Sequence, residues 1–217
     1  MEYGVLFTSL ASRAVDIKTA DSLETDSFIN TLQQFIARRG PVPEIRSDQG
    51  TNIVGAEREL KKVLDEPDHN TIQRSLCRDF NADWILQWKQ NPPAASHMGG
   101  MWKCQIRSVR SILSALIREH SDILDDKSYR ALLTEVECII NSWPLTVPSS
   151  DPEDLDLLTP NRILTMKLRV VMSSPGNFQK ADLYLCKRWK RVQHLSNVFL
   201  VEMEKGVCPK SATECGV

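Results

Sequence analysis

The chain has 217 residues, of which 41% are hydrophobic and 25% charged, with a formal net charge of −1. That length allows one domain with a real core and an appendage, and the composition is ordinary for a globular protein. It excludes a nucleic-acid partner held by a global excess of positive charge, so such a surface must come from local clustering. No apolar run approaches the roughly 20 residues that span a bilayer, which argues against a membrane partner. Met1-Glu2-Tyr3-Gly4 lacks the basic stretch that opens a signal peptide. Cys77, Cys104, Cys138, Cys186, Cys208 and Cys215 form no CxxC pair. His69, His97, His120 and His194 show no metal-ligand spacing with them or with one another. The expected state is reduced thiols in an intracellular protein.

In chain order, Tyr3–Leu10 reads as a buried strand through Val5, Leu6, Phe7 and Leu10. Residues 14–20 alternate Val15 and Ile17 with Asp16 and Lys18, as a strand with one solvated face would. Ala11-Ser-Arg13 joins the two as a hairpin. Thr25 or Asp26 can cap a helix with Phe28, Leu32, Phe35 and Ile36 on one face. Arg38 and Arg39 suit its C-terminal dipole, and Gly40 stops it. A short strand over 43–47 ends at Asp48. Helix returns over 52–65, with Ala56, Leu60, Val63 and Leu64 on one side and a Glu57–Lys61 pair on the other.

A short helix is expected at 71–77 and a strand at 84–88. Pro92-Pro93 then forces an irregular segment, and Gly99-Gly100 leaves it mobile. Long helices follow at about 101–119 and 127–142, the second capped by Asp125 or Asp126 with Pro144 beyond its end. After an acidic loop at 151–158, Thr159-Pro160-Asn161 opens a helical turn through Leu164. A Pro/Gly-punctuated stretch at 173–177 leads to a basic, aromatic segment at 178–200, and a disordered tail is expected from Val201. This order predicts an α/β fold, a mixed sheet with helices on its faces.

Two motifs carry the chemistry. Arg46-Ser-Asp48-Gln-Gly-Thr-Asn52 places a carboxylate where a strand meets a Gly-containing turn, the position from which α/β proteins present groups to a cleft. By itself it also reads as a common turn aspartate. Downstream comes Asn91-Pro-Pro-Ala-Ala-Ser-His-Met-Gly-Gly-Met-Trp-Lys103. On the helix that follows, Trp102, Ile106, Val109, Leu113 and Leu116 form an apolar stripe. Lys103, Arg107, Arg110 and Arg118 run along one flank of it. Farther on, Lys187-Arg-Trp-Lys-Arg191 sets four cations around Trp189, with Tyr184 and His194 nearby. That mixture suits phosphate contact and base stacking, and equally suits packing of Leu183, Trp189 and Val192 with the cations solvated.

In this order the motifs resemble the integrase core of BEL/Pao-type LTR retrotransposons, a transposable-element branch of the retroviral integrase superfamily. The resemblance covers about Tyr3 to Leu200. It implies an RNase H-like core over 1–147, a linker at 148–177, the start of the post-integrase region at 178–200, and a divergent, disordered tail at 201–217. It implies that the central first strand, with the first aspartate of the family's DDE motif, lies outside this chain. Neither Glu2, Asp16 nor Asp21 is placed to substitute for it. Asp48 then stands for the second metal-binding aspartate. Lys103 occupies the position of the catalytic glutamate, and Trp143 replaces an arginine before Pro144.

The family's reaction is 3′-end processing and strand transfer. It uses two divalent ions, Mg2+ or Mn2+, roughly 4 Å apart and held by hard carboxylate oxygens. An ammonium at Lys103 repels a dication by several kcal/mol at about 4 Å and an effective dielectric near 20. The implied reading is a catalytically impaired pseudoenzyme. Its implied DNA contacts are Asn91, Ser96, His97, Lys103, Arg107, Arg110, Lys187, Arg188, Lys190 and Arg191. Its partners would be DNA, a second copy or other polyprotein segments, and its implied location is the nucleus. A non-catalytic DNA-binding module and an unfolded relic stay open as alternatives.

Overall fold

A computed structural model describes residues 3–47, 50–65, 87–90, 100–120, 122–145, 158–167, 176, 178–184 and 187–207. The fold is mixed α/β. Its strands are β1 (Tyr3–Thr8), β2 (Val15–Ala20), β3 (Glu44–Ser47) and β4 (Gln87–Gln90). Its helices are α1 (Thr25–Arg39), α2 (Thr51–Asp65), α3 (Gly100–His120), α4 (Asp126–Asn141), α5 (Pro160–Thr165) and α6 (Arg188–Glu202). A 3-10 turn spans Lys180–Tyr184, and a π-helical turn, Met203–Val207, follows α6. The described strands pair as two two-stranded sheets, β1 with β2 and β3 with β4. The chain divides into two compact units, one of residues 1–5 and 18–99, the other of residues 6–17 and 100–217.

In the first unit, α1 begins after Glu24, which makes no side-chain cap hydrogen bond, so neither expected cap residue serves as one. The helix ends as expected. Gly40 sits at φ 89°, in the left-handed region that favours glycine, and its N–H donates to Ile36 at 2.8 Å. Phe28 and Leu32 are buried, whereas Phe35 and Ile36 are half-buried. Gly55 of α2 faces the first turn of α1 so closely that a Cβ there would lie 2.3 Å from Thr25 Oγ1. Any larger residue there would force the Thr25 side chain to shift. The expected Glu57–Lys61 pair forms, at 2.6 Å. β3 and β4 run parallel, with Glu44 opposite Gln87 and Ser47 opposite Gln90. The described strand thus reaches Gln90, two residues past its predicted end. The predicted helix at 71–77 lies outside the described residues, as does the Gly-rich approach to α3.

In the second unit, Val15 and Ile17 join one apolar cluster with α3, α4 and α6. α3 supplies Val109, Ile112, Leu113 and Leu116; α4 supplies Leu132, Val136 and Ile139; α6 supplies Val192, Leu195 and Phe199. The caps of α4 and α5 follow the sequence. Asp125 accepts Ser128 N–H at 3.1 Å, and Thr159 Oγ1 accepts Arg162 N–H at 3.2 Å with Pro160 next in line.

Three expectations need correction. Tyr3–Leu10 is not a buried strand: β1 ends at Thr8, and Tyr3 and Leu10 are exposed. β2 is not a strand with one solvated face, because Asp16 and Lys18 are 4% and 9% exposed. Alternation reports the polarity of a face, not what comes to lie on it. The chain from Val201 is also ordered farther than expected. α6 continues to Glu202, and Met203 in the π-helical turn is 2% exposed within the cluster. One apolar side chain at the right helical position extended the order where window composition showed none.

Candidate functional site

The segment that carries Asp48 joins β3 to α2. β3 ends at Ser47, and α2 opens on the Gly50 carbonyl, which accepts Val54 N–H at 2.9 Å. Asp48 itself lies outside the described residues. Arg46 and Lys89 are register partners across the parallel pair. Like charges placed opposite each other destabilise a sheet, and here Glu44 bridges both. Its Oε1 accepts from Arg46 Nε and its Oε2 from Lys89 Nζ, each at 2.6 Å. The Lys89 hydrogen bond first, and that of Arg46 second, hold the Glu44 carboxyl below its ordinary range. Trp88 donates Nε1–H to Ser47 Oγ at 3.1 Å and tilts against Phe28 with centroids 6.4 Å apart. An open groove of about 480 Å³ is bordered by Thr51, Val54, Gly55 and Arg58 of α2 and by Gln90 of β4. Its β4 residue, Gln90, is the register partner of Ser47.

Lys103 lies in the first turn of α3. Its side chain, like Asn91, Ser96 and His97, lies outside the described residues. Beyond it on α3, Arg107, Arg110 and Arg118 are exposed, while Val109, Ile112, Leu113 and Leu116 are buried. The helix therefore presents the arginine side to solvent and the apolar stripe to the core, as the wheel predicts. Trp143, where the resemblance expects an arginine, packs partly buried against the apolar cluster. Among the described residues no group of three or more His, Cys, Asp and Glu converges as metal ligands do.

The C-terminal cations divide. Arg191 turns inward: its Nε donates to the Leu183 carbonyl at 2.9 Å and its guanidinium NH1 to the Ile123 carbonyl at 2.6 Å. Lys190 pairs with Asp182 at 3.3 Å. Arg188 pairs at the surface with Asp125 at 3.1 Å, and Lys187 is exposed. His194 Nδ1 lies 3.1 Å from the Phe178 carbonyl. Two of the four predicted contacts thus hold the 3-10 turn and the α3–α4 connection against α6.

No protein-family model matches the chain, and no curated protein matches it. Among solved structures it is similar to a chain in the cryo-electron microscopy structure of the simian T-cell lymphotropic virus intasome in complex with the PP2A regulatory subunit B56 gamma. The identity is 13% and the TM-score 0.43, over 81% of this chain and 56% of that one. The likeness is distant, and this chain spans little more than half of that chain's length.

Sequence reasoning missed a buried polar residue of the second unit, Asn141. It is 1% exposed. Its Oδ1 accepts Val15 N–H and its Nδ2 donates to the Val15 carbonyl, both at 2.7 Å. One turn earlier on α4, Glu137 Oε2 accepts Ile17 N–H at 2.9 Å. Two helix side chains thus satisfy backbone groups of β2 as a neighbouring strand would, which protects an edge. The signal in the sequence was a lone amide ending the apolar run Cys138-Ile-Ile-Asn141. A polar residue inside such a run has a partner that must be found.

Among its described residues the same unit has two carboxylates, Asp125 and Asp182, with lowered proton affinity. Asp125 is held down first by the Ser128 hydroxyl, and Asp182 first by the Gln179 N–H and further by Lys190. A depressed folded pKa contributes stability above the unfolded value and loses it as pH falls through the folded one. Melting temperature is therefore expected to drop below about pH 4, and to drop less steeply in an Asp125→Asn, Asp182→Asn double variant. Thermal melts at pH 3 to 7 measure this, and parallel curves would refute it.

Proposed function

We propose that this chain is a core segment of a BEL/Pao-type LTR retrotransposon integrase that binds DNA without carrying out strand transfer unaided. The observation behind it is the ordered pair of motifs around Asp48 and Lys103, with a lysine where the resemblance calls for a glutamate. Several local features support the reading. Asp48 follows directly on the end of a strand, a parallel strand lies beside it, and Lys103 opens a long helix. These are the positions at which the proposed ancestor would present its second and third carboxylates.

The donor set does not fit two-metal chemistry. Asp48 offers one carboxylate, and an ammonium cannot ligate a cation and repels it. No catalytic step through Mg2+ or Mn2+ is therefore assigned to this chain. What its residues can do is hold phosphates. Arg107, Arg110 and Arg118 stand on the solvent side of one rigid helix, and arginine forks match phosphate oxygens. Lys103, one turn before Arg107, adds to the series rather than opposing it. DNA is the proposed partner, with a second copy or other polyprotein segments as further candidates and the nucleus as the proposed location.

The test is duplex binding across a salt series. The logarithm of affinity should fall linearly with that of salt, and an Arg107→Glu, Arg110→Glu variant should bind less tightly with a slope smaller by about two phosphate contacts. Lack of measurable binding at low salt would remove the DNA-binding reading. Magnesium-dependent nicking or joining that Asp48→Ala abolishes would remove the claim of lost catalysis.

A further inference from the structure

We propose that the corner formed by the 3-10 turn Lys180–Tyr184 and the first turn of α6 is a stacking platform for single-stranded nucleic acid. Tyr184 and Trp189 are its base-stacking surfaces, and Lys180, Lys187 and Arg188 its phosphate contacts. This deepens the nucleic-acid-binding reading by naming the strand form. It stands without the integrase resemblance and uses none of the α3 arginines.

Exposure sorts the aromatic, basic segment into two sets. On α6, Val192, Leu195 and Phe199 are at most 4% exposed, whereas Trp189 is 54% exposed and Tyr184, just before the helix, is 73% exposed. Trp189 meets Phe178 edge to face, with centroids 5.7 Å apart at 86°. That contact fixes the indole while about half of it stays open. A stiff, exposed aromatic loses little entropy when a planar group stacks on it, and every base has a π-face.

Charge sorts the same way. Lys180 in the 3-10 turn, Lys187 at the start of α6 and Arg188 in its first turn are exposed. Two acids of this region are engaged: Asp182 is buried with Lys190 and the Gln179 N–H, and Asp125 caps α4. The Asp125–Arg188 pair lies at the surface, where screening leaves such a bridge weak and a phosphate can displace it. A duplex hides its base faces, so it could use only the cations of this corner. An unstacked strand could use cations and rings together.

Fluorescence anisotropy tests this with labelled oligothymidylate and oligouridylate of about 16 nucleotides and a duplex of equal length. Tyr184→Ala and Trp189→Ala are each expected to weaken single-strand binding roughly 5- to 100-fold and to leave duplex binding unchanged. The tyrosine makes no ring contact among the described residues, so its variant reads binding even if Trp189→Ala loosens Phe178. A Lys187→Glu, Arg188→Glu variant should flatten the salt dependence. A larger loss with one oligonucleotide than the other would identify DNA or RNA as the natural strand. The proposal is overturned if the unmodified protein ignores both single strands at about 0.1 M salt, or if Tyr184→Ala binds them as tightly as the parent. Either result would leave a protein segment as the occupant of this corner, and the duplex test of α3 would stand unaffected.

Discussion

Phe199→Ala is expected to cost about 3–5 kcal/mol and to remove the cooperative melt of the second unit. Phe199 is fully buried, and its ring is shared by the apolar side chains of α3, α4 and α6. Truncation forfeits the transfer of the ring and leaves a void. Closing that void would require shifts in helices also held by Leu195, Leu132 and Val136, all fully buried. A domain has only about 5–15 kcal/mol of stability in total, so this loss takes a large share of it. Urea unfolding of the parent and the variant measures the difference. Val201→Ala is the control, because Val201 is 44% exposed on the same helix and should change stability by less than about 0.5 kcal/mol. Equal midpoints for parent and Phe199→Ala would mean that α6 does not pack as described.

Asn141→Leu is the second large effect, expected at about 2–4 kcal/mol. The side chains are similar in volume, so packing is nearly kept and the loss is polar. Val15 N–H and C=O, 1% exposed as a residue, would both lose their partner. Each orphaned buried group costs roughly 1–3 kcal/mol. Asn141→Asp separates the two halves of the clamp. Its carboxylate still accepts Val15 N–H, but its second oxygen then faces the Val15 carbonyl where an N–H used to donate. Burial and that repulsion raise the folded pKa above the unfolded one, so the protonated form is the one the fold prefers. The variant should therefore be less stable than the parent at neutral pH and recover in part as the pH is lowered. An unchanged melting temperature for Asn141→Leu would show that β2 does not rely on α4.

The readable parts of the fold were local. Gly40 stops α1, Asp125 caps α4, and Thr159-Pro160 opens α5, because each acts on backbone groups within four residues of itself. The split of α3 into an apolar and an arginine side was readable for the same reason: helical spacing alone sets it. The motif pair around Asp48 and Lys103 was also visible as sequence, with a lysine where the proposed family would carry a glutamate.

The rest depended on partners far apart in the chain. Asn141 and Val15 are separated by 126 positions, and no periodicity links them. Arg191 reads as a phosphate contact in the basic run, whereas in the fold it donates to the Leu183 and Ile123 carbonyls. Sequence determined the stop of α1, the caps of α4 and α5 and the apolar side of α3, because propensity and capping act over one or two turns; it did not show helix α6 or the far end of β4. Tertiary structure alone decided that β2 is covered on both faces, that helix α4 serves as its neighbour, and which cations and aromatics of the C-terminal segment remain at the surface. Those outcomes follow from which surfaces meet, and that is fixed by the summed burial of the whole unit rather than by any local stretch.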